Sequence, residues 1–173
     1  MLQTSTSFHD QFVELFNAHF QRIFRILDRL CGEPDLAADL AQEAFIRLHR
    51  RGSLPDTPEA WLISVAMNLL RNVKSTSNRR RRLLTITRAE GVHADPPPSP
   101  DEAADAEDSR RRVRVAIDRL PERERRILLL RAEGYSYRDI ATALDLNEAS
   151  VGTLLARANR AFRAHYEAAF DAP

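Results

Sequence analysis

The sequence predicts an all-α fold in which two small helical modules are joined by a flexible linker. Apolar residues recur at steps of three or four on both sides of the middle of the chain, as they do along amphipathic helices. No stretch alternates apolar with polar residues as strands do, and the middle is rich in proline and acidic residues. We therefore predict an N-terminal module of three or four helices at 8–82, a linker at 83–108 and a C-terminal module at 109–170.

Three helices are predicted in the N-terminal module. The first ends at Gly32-Glu33-Pro34, and Asp35 is placed to cap the second. A third helix is predicted to begin with Thr57 as its cap and Pro58 in its first turn. The predicted apolar lines are Phe12, Phe16, Phe20, Ile23, Leu27 and Leu30 in the first helix, Leu36, Leu40, Ala44 and Leu48 in the second, and Trp61, Val65, Leu69 and Val73 in the third.

The linker and the C-terminal module differ in composition. Four prolines within residues 94–100 favour extended polyproline geometry, and the final module is predicted to start near Ser109. Its first helix is lined by Val113, Ala116, Ile117 and Leu120. The boundaries of the later helices are predicted by Pro121 and Gly134, by the capping-box pair Ser136 and Asp139, and by Asn147, which begins a helix running towards Tyr166.

Composition excludes several classes of protein. The chain has 173 residues, of which 43% are hydrophobic and 29% charged, as in soluble globular proteins. It contains no apolar run of the length that spans a membrane, and its first seven residues lack the features of a secretory signal. The single cysteine, Cys31, excludes an internal disulfide and a zinc site made of cysteines. We therefore expect a cytoplasmic protein without direct membrane insertion.

The net charge of +1 conceals a strong alternation along the chain. Residues 1–45 carry a net charge of −4, residues 46–82 of +7, residues 83–109 of −6 and residues 110–173 of +4. Such blocks indicate segments with different partners, the alternative being solvated surfaces that differ by chance.

The strongest local pattern is a helix-turn-helix signature at 137–154. Apolar residues stand where the two helices would cross, Ala141 is the small contact residue, and Asp145-Leu146-Asn147 provides the turn. The apolar points are Ile140, Leu144, Leu146, Val151 and Leu154. The pattern favours DNA binding over an ordinary helical hairpin. The outward positions of the second helix carry no arginine before Arg157, so we expect phosphate contacts and sparse, apolar or shape-based base reading.

Two further helical faces carry candidate functions. A polar stripe on the third helix is predicted opposite its apolar line and precedes four consecutive arginines, and its asparagines could bind exposed base edges while arginines bind phosphates. It comprises Ser64, Asn68, Arg71, Asn72, Ser75 and Arg79. The alternative is an exposed helix with a basic tail. On the second helix, Asp35, Asp39 and Glu43 share one face, where like charges favour a basic protein partner over plain surface or a metal.

No catalytic pattern is found. The five histidines are dispersed, and neither a phosphate-binding glycine loop nor a dinucleotide motif occurs. We expect no enzyme activity, no cofactor and no metal. The alternative within the enzymes is a metal-dependent nuclease using Asp35, Asp39 and Glu43.

Three segments together resemble a known family. They are DLAADLAQEAF at 35–45, PEAWL and AMNLL at 58–62 and 66–70, and LPERER with GYSYRDIA at 120–125 and 134–141. In this order they resemble regions 2 and 4 of the extracytoplasmic-function (group IV) sigma factors of bacterial RNA polymerase. The resemblance implies a transcription initiation factor that binds core polymerase and promoter DNA. It also implies an anti-sigma factor as a second partner.

The resemblance also implies a role for each site. The acidic face would bind the coiled coil of the largest polymerase subunit, and loop 51–57 with residues around Asn68 would capture a flipped base as the duplex opens. The acidic linker would thread the polymerase cleft. The implied core-binding residues are Asp35, Asp39, Gln42 and Glu43, and the implied minus-ten residues are Trp61, Ser64, Asn68, Arg71, Asn72, Arg79 and Arg80. The implied minus-thirty-five residues are Tyr137, Arg138, Glu148, Ala149, Gly152, Thr153, Arg157 and Arg160.

One position departs from the family pattern, and one rival function fits part of the chain. Many relatives carry a basic residue where this chain has Gly152, which removes a DNA contact. A free-standing helix-turn-helix repressor or activator with an N-terminal oligomerisation domain would explain 110–173. It would give no role to the acidic face, the polar stripe or the linker, and no heptad seam indicates a symmetric dimer.

Overall fold

The structure is a computed structural model that describes residues 7–83 and 100–168, with side chains at 7–75 and 107–168. The described residues form seven helices and no strand, which confirms the predicted all-α class. The N-terminal module contains α1 (Phe8–Cys31), α2 (Pro34–Arg51) and α3 (Pro58–Leu83). The C-terminal module contains α4 (Pro100–Asp118), α5 (Glu122–Ala132), α6 (Tyr137–Leu144) and α7 (Glu148–Ala168). Within these ranges, no helix combines the length and apolarity needed to cross a bilayer.

Local chemistry explains the ends of the N-terminal helices. A capping box formed by Ser7 and Asp10 begins α1, and Gly32 ends it in the left-handed conformation with φ of 72°. The prediction that Asp35 caps α2 is wrong. The helix begins at Pro34, because proline is already suited to the first helical position, and Asp35 lies in the first turn, where its charge favours the helix dipole. Pro58 begins α3, as predicted.

The apolar line predicted for α3 is only partly buried. Leu69 is buried, Trp61 and Val65 are half-buried, and Val73 is 36% exposed. The fully covered side of the helix is instead formed by Leu62, Ile63, Ala66, Met67 and Leu70. The reason is that α3 packs against α1, α2 and α6, so its apolar surface is a broad arc. The predicted line, whose residues are four apart, covers only one edge of this arc.

Helix α4 begins earlier than the predicted start near Ser109. It includes residues 100–108, which had been assigned to the linker. Pro100 is suited to the first turn, and the acidic, alanine-rich stretch behind it favours helix near the N-terminus. Glu107 and Asp108 also form ion pairs with Arg110, Arg111 and Arg112 along the same helix. The boundaries of the two modules remain a prediction.

The two modules pack against each other, which the sequence did not predict. Helix α6 packs on α3, and α5 contacts α1. A continuous apolar core extends from Leu27 and Leu48 in the N-terminal module to Tyr135 and Val151 in the C-terminal module.

Burial in this core predicts the effects of two matched isoleucine substitutions. Ile23 is 0% exposed and Ile46 is 42% exposed, and both belong to the N-terminal module. Ile23→Ala should lower the free energy of unfolding by about 2–5 kcal/mol because it leaves a cavity, whereas Ile46→Ala should change it by less than about 1 kcal/mol. Urea unfolding followed by circular dichroism measures both. Equal losses would contradict the described burial.

Candidate nucleic-acid and protein-binding surfaces

The acidic residues predicted on α2 lie on one exposed side of the helix. Asp35, Asp39 and Gln42 are exposed, and Glu43 is half-buried and accepts a hydrogen bond of 2.8 Å from Arg47 Nε. The opposite side of α2 packs into the core through Leu40, Ala44 and Leu48, among others. This burial fixes the direction in which the carboxylates project.

Sequence reasoning missed one residue on this surface. At 100° per residue, Ile46 projects between Asp39 and Gln42, and it is one of the large apolar side chains that remain exposed. An apolar side chain with polar groups around it resembles the apolar centre and polar rim of a protein interface. Its position outside the predicted apolar line Leu36, Leu40, Ala44 and Leu48 was the available signal.

The polar stripe of α3 also lies on one side of its helix. Ser64 is half-buried, whereas Asn68, Arg71, Asn72 and Ser75 are exposed. Arg71 donates a hydrogen bond from its guanidinium to Asn68 Oδ1, so these two side chains are already held together. The side chains of Arg79 and Arg80 lie outside the described residues.

Trp61 was predicted to lie opposite this stripe, but the structure places it beside the stripe. The helical rotation places Trp61 and Val65 next to Ser64 and Asn68, and the indole is packed on the core while remaining partly exposed. An aromatic ring beside hydrogen-bonding amides is an arrangement that can stack on an unpaired base.

The helix-turn-helix geometry predicted at 137–154 is present in the structure. The capping box of α6 consists of Asp139 N donating to Ser136 Oγ at 3.2 Å and Ser136 N donating to Asp139 Oδ2 at 3.1 Å. Asp145 adopts the left-handed conformation with φ of 54° at the turn. Asn147 Oδ1 then accepts a hydrogen bond of 2.9 Å from Ala149 N and caps α7.

The crossing of these helices is buried nearly as predicted. Ile140, Ala141 and Val151 are buried, and Leu144, Leu146 and Leu154 are half-buried. The residue beside the last of them, Leu155, is buried instead. Near the middle of α7, the buried face of the helix is therefore shifted by one residue from the predicted face.

The outward face of α7 carries most of the predicted DNA-contacting residues. Glu148, Ala149, Thr153, Arg157 and Arg160 are exposed. Gly152 is half-buried and lies beside the ring of Tyr137. A Cβ atom added at Gly152 would lie 3.6 Å from Cε2 of that ring.

Tyr137 and Arg138 extend this surface from the start of α6. Both side chains are exposed, and Arg138 Nε lies 3.7 Å from Glu148 Oε2.

Arg157 also has a structural contact. Its Nε donates a hydrogen bond of 2.7 Å to Oε1 of Glu124, a carboxylate on α5 that is only 8% exposed. A buried carboxylate needs a charged partner, so this contact ties α7 to α5. Arg157 thus stabilises the unit on which the other predicted DNA contacts lie.

An unpredicted contact joins the two modules, and we call it the interdomain clasp: Arg22 and Arg25 of α1 with Glu133 and Tyr135 of the α5–α6 loop. Arg22 Nε donates a hydrogen bond of 2.6 Å to the Glu133 carbonyl, and its guanidinium lies 3.9 Å from the centroid of the Tyr135 ring. Arg25 binds the Glu133 carboxylate through two hydrogen bonds of 3.1 and 2.7 Å, and hydrogen bonding to Glu133 raises the pKa of Arg25. Burial raises the pKa of Tyr135.

A second interdomain contact lies at the other end of this interface. Lys74 Nζ donates a hydrogen bond of 3.0 Å to Oε1 of Glu122. Burial opposes ionisation of Glu122, but Lys74 and Arg126 outweigh it and lower the pKa of the carboxyl. A cleft of about 370 Å³ opens beside this pair and is lined by Arg71, Arg123 and Asp145, among others.

No candidate site suggests a metal. Among the side chains that the structure describes, no group of three or more His, Cys, Asp or Glu residues could hold an ion.

The fold and these surfaces define a two-module helical protein with a helix-turn-helix unit, and comparisons identify its family. Residues 15–81 match the family "Sigma-70 region 2", and residues 110–161 match "Sigma-70, region 4". The RNA polymerase sigma-H factor of Pseudomonas aeruginosa is 34% identical over 152 residues, which are 81% of this chain and 76% of that protein. The chain therefore belongs to the sigma-70 family, in the extracytoplasmic-function class.

Other relatives carry the class name. The ECF sigma factor SigE of Mycolicibacterium smegmatis is 32% identical over 152 residues, covering 85% of this chain and 57% of that protein. The chain thus spans little more than half of SigE, and 36% of a probable sigma factor, RfaY, of Xanthomonas campestris. The sigma factor RpoE of Bartonella quintana, solved in complex with the anti-sigma factor NepR, has the same fold, with a TM-score of 0.72, 18% identity, and coverage of 91% of this chain and 97% of that chain.

The space beside Gly152 predicts that larger residues are tolerated there. The contact with Tyr137 is ordinary van der Waals distance and the backbone is helical, so Gly152→Ala should stabilise the protein by about 0.5–1 kcal/mol. Gly152→Arg should in addition raise the affinity for promoter duplex. The logarithm of the binding constant should also fall more steeply with the logarithm of salt concentration, by about the contribution of one phosphate contact. Urea unfolding and fluorescence anisotropy at several salt concentrations measure these effects, with Gly152→Ala as the uncharged control. A destabilised alanine variant would show that Tyr137 requires the glycine.

Proposed function

We propose that this chain directs promoter-specific transcription initiation by binding core RNA polymerase and promoter DNA. One observation carries the proposal: a single chain combines an acidic protein-binding face, a polar stripe beside an aromatic ring, and a helix-turn-helix unit on a second module. A helix-turn-helix repressor would use only the third of these. The proposed role is non-catalytic and takes place where the polymerase acts, in the cytoplasm.

The proposed polymerase contact is the exposed face of α2. Asp35, Asp39, Gln42 and Glu43 would bind basic groups of the coiled coil in the largest subunit, with Ile46 as an apolar centre. Three co-facing carboxylates repel one another in the free protein, and a basic partner would turn this cost into a gain.

The proposed minus-ten contact is the α3 stripe with Trp61. Separated bases would stack on the indole and hydrogen-bond to Ser64, Asn68 and Asn72, while Arg71, Arg79 and Arg80 would hold phosphates. The hydrogen bond between Arg71 and Asn68 supports this assignment, because it fixes the amide orientation before a base arrives.

The proposed minus-thirty-five contact is the outward side of α6 and α7. Arg138, Arg157 and Arg160 would hold phosphates, while the small or neutral side chains between them would contact bases through shape and apolar contact. The contributing uncharged residues are Tyr137, Ala149, Gly152 and Thr153, with Glu148 beside them.

An anti-sigma factor is the second partner that we propose. The support is that the structural neighbour RpoE is solved in complex with one, and that the two chains share the fold over most of their length.

Polymerase binding is tested by reversing one charge on the acidic face. Asp39→Lys should weaken association with core enzyme by roughly 1–2 kcal/mol, a factor of about 5 to 30, because attraction is replaced by repulsion. Glu14→Lys is the matched control, since it makes the same charge change at an exposed site on α1. Titration of labelled protein with core polymerase measures both affinities. If both variants weaken binding equally, the loss of affinity is due to the change in net charge and not to the acidic face of α2.

Promoter opening is tested with two asparagines. Asn68→Ala should leave closed-complex binding nearly intact and slow opening by roughly tenfold to a hundredfold, if an extruded base regains hydrogen bonds from Asn68 in the transition state. Asn17→Ala, at an exposed site on α1, should change neither. Permanganate footprinting beside a closed-complex binding assay separates the two steps. Wild-type opening of a duplex promoter by the Asn68 variant would exclude base reading by this residue.

A further inference from the structure

Glu124 is a charged residue that the fold buries. It is 8% exposed, and among the side chains that the structure describes it is the one buried charged residue. It lies in the first turn of α5, where the helix dipole favours a carboxylate. Ile127 and Leu130 are fully buried and hold α5 in the core, so the backbone that carries this carboxylate is fixed.

The partner of Glu124 is Arg157 of α7. Arg157 Nε donates a hydrogen bond of 2.7 Å to Glu124 Oε1, although the two residues are 33 positions apart in the chain. The side chain of Arg157 is 56% exposed, whereas that of Glu124 is 10% exposed. The pair therefore combines a buried, fixed acceptor with a guanidinium that reaches the surface.

Binding through Nε leaves most of the Arg157 guanidinium available. Nε carries one of the five N–H donors of an arginine, and the other four are on the two terminal nitrogens. In the part of the chain that the structure describes, those terminal nitrogens donate no hydrogen bond. A planar guanidinium with two free terminal nitrogens is suited to bind a phosphate through two parallel hydrogen bonds.

Arg157 lies on the flank of the outward side of α7. Thr153, one turn earlier, lies about 40° from it around the helix. Arg160 is also exposed, but no carboxylate among the described side chains anchors it. An anchored arginine loses less conformational freedom on binding and reaches phosphates in fewer positions than a free one. Arg157 is therefore the more restrictive of the two phosphate contacts.

We propose that Glu124 is a positioning residue for promoter recognition. By holding Arg157 at Nε, it lets the terminal nitrogens bind a phosphate only when outward residues such as Thr153 stand over the correct bases. Phosphate contacts carry no sequence information themselves, but they fix the orientation of a helix on the duplex. The proposal deepens the proposed minus-thirty-five contact and rests on it.

The charge of Glu124 makes positioning distinguishable from plain electrostatics. A carboxylate near DNA repels phosphates, so its removal should raise the affinity for every duplex. Positioning predicts the opposite for the recognised sequence, because a released Arg157 can bind phosphates in several orientations of α7. The two explanations therefore differ in the sign of the effect.

Glu124→Leu tests the proposal in the full chain, with core polymerase and again without it. Leucine removes the carboxylate and keeps the buried site filled, and the exposed Arg157 guanidinium can then be hydrated. Glu107→Leu makes the same substitution at an exposed site on α4, in the same module. Fluorescence anisotropy compares one duplex enriched from a random library by the unsubstituted protein with one duplex of shuffled sequence. The ratio of the two affinities is the selectivity.

Glu124→Leu should lower the selectivity by about fivefold to tenfold, because binding of the enriched duplex weakens while binding of the shuffled duplex does not. Glu107→Leu should change it by less than about twofold. In an Arg157→Ala background, Glu124→Leu should also change it by less than about twofold, because no guanidinium remains to be positioned. A rise of both affinities by one factor, or a loss of selectivity that persists in the Arg157→Ala background, would overturn the positioning role.

Salt dependence separates phosphate binding from a purely structural role of Arg157. Arg157→Ala should make the logarithm of the binding constant fall less steeply with the logarithm of salt concentration, by about one phosphate contact, whereas Glu124→Leu should leave this slope nearly unchanged. An unchanged slope in Arg157→Ala would make the pair structural only and would also overturn the proposal. If the unsubstituted protein enriches no sequence, the proposed minus-thirty-five contact is contradicted together with positioning. If it enriches one and the variants do not behave as expected, the positioning role alone is wrong.

Discussion

Helix α3 is the element on which the rest of the structure depends. It packs against α1, α2 and α6, and its fully buried residues cover a broad arc that includes Ile63, Met67 and Leu70. Only a narrow side of the helix remains for polar residues, and this side carries the stripe beside Trp61. The same burial that stabilises the N-terminal module therefore orients the candidate strand-binding surface, and it also provides the platform for α6.

Features set by neighbouring residues were predictable from the sequence. The C-terminal end of α1, the start of α3, the capping box at Ser136 and Asp139, and the cap at Asn147 all follow from chemistry within one helical turn, and the structure has each of them. The acidic face of α2 followed in the same way, because residues four apart share a side of a helix wherever the helix packs. Such inferences need no knowledge of what the helix contacts.

Features set by distant contacts were not predictable. The apolar line predicted for α3 assumed that the helix packs on one side only. Because α6 packs on another side of α3, residues outside the predicted line are buried as well. The clasp joins Arg22 to Glu133, which are 111 residues apart, and nothing near either residue indicates the pairing. The early start of α4 was missed for another reason. An acidic, proline-containing composition is typical of disorder, but it also suits a helix N-terminus. Further along the same helix, Asp108 pairs with arginines one turn later.

The ion pairs that join the two modules do not follow the alternation of net charge along the chain. Arg25, which binds Glu133, lies in the block of net charge −4, and Lys74, which binds Glu122, pairs across two blocks that are both positive. These pairs are partly exposed, so salt weakens them, whereas the contact of Arg22 with buried Tyr135 is much less screened. The ion pairs therefore add to the interface between the modules, but the buried apolar contacts and the Arg22–Tyr135 contact stabilise it more.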